Sequence, residues 1–151
     1  RMPSEAEWAW AARADGSGNL LKYPWGTQLP PPDKAGNFAD ITARSYLGEV
    51  MFDYEDGYLA TAPVASFTAN QNDLFDMAGN VSEWVHDYYG SIGSADGAEV
   101  DPLGSVNGQF HTIRGSSWAH GSVSEIRLSF RDFGEEPRDD VGFRIARYLE
   151  E

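Results

Sequence analysis

The chain contains no cysteine among its 151 residues. This absence excludes disulfide bonds, metal sites built on thiolates, and every mechanism that uses a cysteine nucleophile. It also removes the usual sequence indicator of an oxidising or a reducing compartment, because that indicator is read from cysteine usage. The compartment therefore has to be inferred from other features.

Basic residues and long apolar runs are also scarce. Lysine and arginine together number 11 against 24 acidic residues, which gives a formal net charge of -13 at pH 7. Such a charge repels nucleic acid and anionic membranes, so no nucleic-acid partner is predicted and cations or polar ligands are favoured. No apolar stretch approaches the roughly 20 residues that span a bilayer, so no direct membrane insertion is predicted either.

Turn-forming residues, by contrast, are plentiful. The 16 glycines and 8 prolines are spread over every segment without a fixed repeat. This distribution argues against a solenoid or a helical bundle and predicts a loop-rich α+β domain, one unit over residues 1–151. Ser4 and Glu7 have the spacing of a capping box, which predicts a short amphipathic helix ending near Arg13.

Strand-like patterns are short and separated by turn residues. Apolar and polar residues alternate, or apolar residues cluster, in the predicted strands 63–67, 110–113, 126–130 and 142–146. The stretch 90–108 is rich in glycine and aspartate and predicts a surface insert. Together with Tyr88 and Tyr89, this insert is a candidate binding surface, because variable function tends to be carried by loops.

The most informative stretch runs from Asp76 to Trp84, DMAGNVSEW. Its Gly-Asn pair favours a bend that points backbone carbonyls inward, while Asp76 and Glu83 supply carboxylate oxygens within reach of the same point. Oxygen donors of these kinds suit a hard cation, most simply calcium. An ordinary hairpin turn between 74–75 and 81–84 is the alternative that the residues alone leave open.

Four motifs occur in a fixed order along the chain. They are RMPSEAEW at 1–8, the stretch 76–84, IRGSSW at 113–118 and VGFR at 141–144, accompanied by YPWG at 23–26 and APV at 62–64. In this order they resemble the formylglycine-generating enzyme, or sulfatase-modifying factor, domain family over essentially the whole chain. The resemblance implies the family's fold, a loop-rich relative of the C-type lectin fold, and an N-terminal part of the domain that this chain does not contain.

Members of this family commonly hold two calcium ions, and the resemblance implies ligands for both. Side-chain oxygens and backbone carbonyls from glycine-containing bends are mixed in each set, which suits calcium. The implied ligands are Asn37, the Phe38 carbonyl, Asp56 and the Tyr58 carbonyl for one ion, and Asp76, the Gly79 and Val81 carbonyls and Glu83 for the other. One or two Ca²⁺ ions are thus the predicted cofactor, although Asp56 is also compatible with a plain Asp-Gly turn.

The chain departs from the family at the catalytic position. Members that make formylglycine bind copper through a pair of cysteines after an Arg-Gly-Gly-Ser motif, a preference for soft thiolates. Here the corresponding positions hold His120 and Glu125. Formylglycine generation by that mechanism is therefore not expected.

Two other chemistries are conceivable around this segment. His120 and Glu125, together with His111, could form an acid–base or replacement metal site, because imidazole titrates near neutrality. Ser117 is a candidate nucleophile, but its sequence context lacks the second glycine of a nucleophile elbow and no base is identified by spacing. Structural roles are the simpler interpretation for all four side chains.

The leading functional hypothesis is a non-catalytic, calcium-stabilised ligand- or protein-binding module within a larger bacterial protein. Its expected partners are a protein or a small polar ligand, together with other domains of the parent chain. The alternative is an oxidoreductase domain, formylglycine-generating-like or iron-dependent sulfoxide-synthase-like, that contributes the substrate site. Calcium use favours an extracytoplasmic setting, periplasmic or at the cell surface, where the ion is plentiful.

Overall fold

A computed structural model describes residues 1–90, 102–105 and 107–148. Most of the predicted insert at 90–108, including all of 91–101, lies outside the described residues. The elements in chain order are α1 (Glu5–Arg13), a 3₁₀ turn (Ile41–Ala43), β1 (Ser82–Tyr88), β2 (His111–Arg114), β3 (Arg131–Gly134) and β4 (Val141–Phe143). Over the described ranges, one α-helix and a small sheet joined by long loops confirm the loop-rich α+β class.

Helix α1 begins at the predicted capping box. The Glu7 N–H donates to Ser4 Oγ over 3.2 Å, and the Ser4 N–H donates to Glu7 Oε2 over 2.7 Å. The helix buries Trp8 and Ala12 and ends at Arg13, as predicted. With 9 residues it is a short element, and no helix in the described part of the chain is long and apolar enough to cross a membrane.

The sheet is mixed and has the strand order β3-β2-β1-β4. Strand β2 is antiparallel to both β1 and β3, whereas β4 is parallel to β1. Trp84 in β1 lies opposite Ile113 in β2 and Phe143 in β4. The predicted strand 110–113 is confirmed within one residue of β2, and the predicted strand 142–146 overlaps β4.

Two predicted strands are wrong. In 63–67, Ala65 has a φ of 59° and Val64 is 84% exposed, so the chain turns there and does not pair as a strand, although Phe67 at its end is buried. In 126–130 the Phe130 N–H donates to the carbonyl of Arg127, which is a turn. Ile126 and Leu128 are fully buried, so the alternating pattern identified burial correctly but not the backbone conformation.

Aromatic packing fixes the loop that precedes the 3₁₀ turn. The ring centroids of Phe38 and Tyr54 lie 5.8 Å apart, and Trp25 packs edge-on against Phe38 at the same distance. The Tyr54 hydroxyl also donates to the Gly36 carbonyl over 2.7 Å. Residues 36–38 are therefore held rigidly beside the core, where they face the 76–83 segment.

Candidate metal centre and the adjoining serine–histidine cluster

The two segments with predicted calcium ligands lie back to back. The Asn80 N–H donates to the Asn37 carbonyl over 2.8 Å. Gly79 has a φ of 82°, and a Cβ atom placed on it would lie 2.5 Å from the Asn37 carbonyl oxygen. Only glycine allows this approach, because a side chain would be both strained and in collision.

The first predicted set, in the loops 37–38 and 56–58, is assembled around Asp56. Its two carboxylate oxygens accept hydrogen bonds from the N–H groups of Phe38 and Tyr58, each over 2.8 Å. Burial raises the pKa of Asp56 to about 6, the two N–H donors act in the opposite direction, and the charge of Asp40 adds to the rise. Asp56 is half-buried and forms no salt bridge with the described residues, and such a carboxylate favours a bound cation.

Asn37 belongs to the same set. Its side chain is buried, and its Nδ2 donates to the Ala60 carbonyl over 2.7 Å. Its Oδ1 is buried and accepts no hydrogen bond from the described residues.

The second predicted set surrounds the bend at 76–80. Asp76 has a φ of 56°, and its Oδ2 accepts a hydrogen bond from the Ala65 N–H over 2.8 Å. Its Oδ1, like that of Asn37, is buried and has no hydrogen-bond partner in the part of the chain that the structure describes. The left-handed backbone at Asp76, Gly79 and Asn80 produces the predicted bend.

Glu83 is more fully engaged than Asp76. Its Oε2 accepts from Trp8 Nε1 and from Arg144 Nε, each over 2.6 Å, and its Oε1 accepts from Arg144 Nη2 over 2.6 Å. This carboxylate therefore joins helix α1, strand β1 and the chain after β4. Any role of Glu83 as a metal ligand would have to use its remaining lone pairs.

The donor chemistry of both sets fits a hard cation. A buried acceptor without a partner costs free energy, and a bound cation would remove that cost. Among the described residues, no three histidine, aspartate or glutamate side chains converge as a metal-binding group. A cation at Asn37 or Asp76 would consequently depend on amide and backbone carbonyl oxygens in addition to carboxylates.

Ser117, His120 and Asp140 form a cluster beside the second set. The buried Ser117 donates its hydroxyl proton to Asp140 Oδ2 over 3.0 Å, and its backbone N–H donates to His120 Nδ1 over 3.0 Å. A catalytic triad has the histidine between the serine and the acid, so that imidazole takes the hydroxyl proton. In this cluster the Ser117 hydroxyl bonds to Asp140 directly and lies 3.4 Å from His120 Nδ1, so the serine stands between the acid and the histidine.

The remaining candidate side chains have separate surroundings. Glu125 Oε2 accepts from the Ser122 hydroxyl over 2.6 Å, and the His120 ring packs edge-on against Phe130 at 5.3 Å. His111 stacks on Tyr88 with a centroid distance of 4.2 Å. Over the part of the chain that the structure describes, His111, His120 and Glu125 share no hydrogen bond.

Sequence reasoning missed the connection between Arg144 and Glu83. Arg114 and Arg131 pair with Glu5, and Arg144 pairs with Glu83. This pairing follows from the strand register and is not visible in the sequence. Glu83 lies opposite Gly142 in the parallel β1–β4 pair, which places Arg144 two residues further along the same ladder.

Known proteins are similar to this chain in sequence and in fold. The sulfatase-modifying factor enzyme 1-like domain matches residues 1–149. The formylglycine-generating enzyme of Streptomyces coelicolor is 33% identical over 97% of this chain and 46% of its own length. The inactive Cα-formylglycine-generating enzyme 2 of Bos taurus is 32% identical over 97% of this chain and 43% of its own length.

A solved structure also has the same fold. Treponema denticola variable protein 1 superposes with a TM-score of 0.70 at 27% identity, covering 95% of this chain and 45% of that protein. The chain thus spans about half the length of the curated relatives it matches. With the motifs, the fold and these relatives in agreement, the chain belongs to the sulfatase-modifying factor enzyme 1-like family.

Proposed function

We propose that this chain is a non-catalytic member of its family, a ligand- or protein-binding module whose loops are stabilised by calcium. The observation that carries the proposal is the pair of buried oxygens without hydrogen-bond partners, Asn37 Oδ1 and Asp76 Oδ1. One lies in each ligand set that the resemblance implies. Among the described residues, eight buried side-chain atoms lack a hydrogen-bond partner, and these two are the amide and carboxylate oxygens in that group, so one pure acceptor lies in each set and supports a common cause.

The non-catalytic part of the proposal depends on the chain's composition. No cysteine is present in the 151 residues, so the thiolate pair that binds copper in formylglycine formation has no counterpart here. His120 holds one of the two positions, and its Nδ1 is already occupied by the Ser117 N–H. The relatives include both formylglycine-generating enzymes and an inactive one, so the family by itself leaves the choice open.

Calcium would act here through the loops. Asn37 and Asp56 would hold one ion and Asp76 and Glu83 the other, with the carbonyls of the bends completing the coordination, and each ion would neutralise the carboxylates of its own set. Because the two segments are bonded back to back through Asn80, ordering one would restrain the other. A rigid pair of loops is a suitable base for a binding surface.

The first test measures calcium and stability in the same preparation. We expect one or two calcium ions per chain by elemental mass spectrometry, and a lower melting temperature in chelator than in excess calcium. At free calcium 100 times its Kd, the stabilisation should be about 2.7 kcal/mol. Equal melting with and without chelator, in a chain that carries no calcium, would contradict the proposal.

Single substitutions test which residues bind calcium. Asn37→Ala and Asp76→Asn should each reduce the calcium-dependent shift in melting temperature, because each removes or neutralises a predicted ligand. Asp15→Asn is the matched control, since Asp15 is also an acid whose side chain accepts backbone N–H bonds in a turn, far from both ligand sets in sequence. The control should keep the full calcium response.

An assay of peptide oxidation distinguishes the binding module from the oxidoreductase alternative. The chain, incubated with cysteine-containing peptides, oxygen and copper or iron, should leave the peptides unmodified by mass spectrometry. Oxidation of a peptide that required His120 or Glu125 would favour the oxidoreductase instead.

A further inference from the structure

A groove of about 500 Å³ lies beside helix α1, away from the predicted ligand sets. We call it the α1 groove and define it by Glu7, Trp10, Leu103 and Tyr148, which line it. Three of its large side chains are exposed: Trp10 by 68%, Leu103 by 59% and Tyr148 by 75%. Exposed aromatic and aliphatic side chains that share one concave surface indicate a binding site more than scattered exposure does.

The chemistry of the α1 groove is that of a cation site. Glu7 and Trp10 are three residues apart on α1, so their side chains lie on the same helix face. Tyr148 supplies a second ring. A carboxylate beside two aromatic rings attracts a cationic group through charge and through the ring faces.

The chain itself shows how a guanidinium fits there. Arg1 Nη1 and Nη2 donate to the two oxygens of Glu7, each over 2.6 Å, and Arg1 Cζ lies 4.6 Å from the centre of the Tyr148 ring. The hydrogen bonds from Arg1 hold the pKa of Glu7 near 2, so this carboxylate is charged at every physiological pH. The pair is exposed, with 35% and 43% of the two side chains accessible, and exposed ion pairs exchange partners at little cost.

Two further features point to a basic polypeptide as the occupant. The net charge of -13 attracts basic partners and disfavours acidic ones. Among the described residues, the cations that lie over aromatic rings do so at Tyr148, Tyr23, Phe52, Trp8 and Tyr89, which leaves the exposed ring of Trp10 free for a ligand.

We infer that the α1 groove docks a partner protein through an arginine side chain, which replaces Arg1 between Glu7 and Tyr148 while a neighbouring apolar residue covers Trp10 and Leu103. Arg1 then acts as an internal competitor for the site. The inference rests on the proposed function, because it names the partner class of the binding module.

The test is a fluorescence titration of the 151-residue chain, in calcium buffer at 0.15 M salt, with a labelled, terminally blocked Gly-Leu-Arg-Leu-Gly peptide. The matched probe has citrulline in place of arginine, which keeps the shape and removes the charge. We expect the arginine peptide to bind at least about tenfold more tightly than the citrulline peptide, from the combined loss of charge pairing and cation–π contact.

Three variants and one control variant test the site. Glu7→Gln keeps the capping-box geometry, which glutamine also satisfies, but removes the charge, and should weaken binding severalfold. Tyr148→Ala should weaken binding by about threefold to tenfold, whereas Tyr46→Ala, an aromatic that is also 75% exposed, should leave it unchanged. Arg1→Gln should instead tighten binding, because it removes the internal competitor.

Opposite responses to Arg1→Gln and Glu7→Gln would establish the inference. It would be overturned by equal affinity for the arginine and citrulline peptides, or by equal losses in Tyr148→Ala and Tyr46→Ala, which would reveal only general attraction to an acidic surface. Free arginine amide that competes as well as the peptide would also overturn it, in favour of a small-molecule cation. Calcium-dependent melting of the same samples tests the proposed function separately, so a failure of peptide binding with the melting shift intact rejects the docking inference alone.

Discussion

At the scale of single residues, the approach of Gly79 to Asn37 is what joins the two predicted ligand sets. Sequence reasoning identified the Gly79-Asn80 bend from turn chemistry alone, since these residue types accept left-handed backbone. It did not identify Asn37 as the residue that Gly79 contacts, because the separation of the two residues in sequence gives no sign of the contact. The partner of a turn is fixed by tertiary packing, in this case by the aromatic side chains that hold 36–38.

Gly79→Ala should therefore destabilise the chain strongly. The new Cβ would lie 2.5 Å from the Asn37 carbonyl oxygen and 2.8 Å from its nitrogen, so the two loops would have to separate. We expect a loss of about 3 kcal/mol or more in the free energy of unfolding, measured in urea, which is typical of overpacking combined with backbone strain. Gly18→Ala is the control: its φ of 86° is similar but no atom lies within 4 Å, so it should cost only about 1 kcal/mol.

Asp140 should give the chain a specific sensitivity to acid. Burial acts to raise the pKa of Asp140, but the hydrogen bonds and charge of Arg138, with the Ser117 hydroxyl, hold it below its usual value. A carboxyl with a lowered folded-state pKa stabilises the fold above its unfolded pKa of about 3.9, and this contribution is lost as the pH falls through the folded value. The difference in melting temperature between the parent chain and Asp140→Asn should consequently be largest near pH 7 and shrink below pH 4. A difference that grows on acidification would show that the assigned direction is wrong.

At the scale of elements, prediction succeeded where the signal was local. Ser4 and Glu7 cap α1 through hydrogen bonds to each other, so the helix could be predicted from the local sequence without its tertiary contacts. Strand β3 was missed because Arg131, Asp132 and Gly134 carry no apolar alternation. It is a strand because β2 pairs with it, as in the register Ile113 to Asp132.

Glu5 connects helix α1 to the sheet through ion pairs. Its substitution therefore tests how much this connection stabilises the fold. Glu5 bonds Arg131 over 2.5 Å and 2.8 Å and pairs with the buried Arg114 at 3.2 Å. Burial already lowers the pKa of Arg114 to about 10, and the charge of Glu5 offsets part of that cost. Glu5→Gln should lose about 3 kcal/mol of unfolding free energy in urea, because it leaves a buried cation poorly compensated.

Glu7→Gln, in the same helical turn, is the matched control. Its partner Arg1 is exposed and glutamine retains the capping box, so the cost should stay below about 1 kcal/mol. Equal losses in the two variants would mean that the charge at the start of the helix matters and the buried pairing of Glu5 does not.

At the scale of the whole molecule, the composition predicted the electrostatic character and the α+β class. Prediction of the two metal-ligand sets required the family resemblance. A net charge of -13 means that like charges on the chain repel one another. It does not state where the repulsion is concentrated. The structure places part of it at the buried Asp40 and the half-buried Asp56, whose charges act on each other, so monovalent screening and specific cation binding should differ there.

These two effects can be separated by ion type at matched ionic strength. Sodium chloride should raise the melting temperature gradually and without saturation, because it screens exposed like charges over a Debye length of about 10 Å at 0.1 M while affecting buried pairs much less. Calcium chloride should produce a further, saturable rise at far lower concentration, and magnesium chloride a smaller one, because magnesium demands a regular octahedral shell that amide and bent-loop carbonyl oxygens do not readily supply. Asp76→Asn should remove much of the calcium-specific rise and leave the sodium response intact. If calcium, magnesium and sodium act alike at matched ionic strength, the stabilisation is screening of an acidic surface, and the loops at Asn37 and Asp76 are held by packing alone.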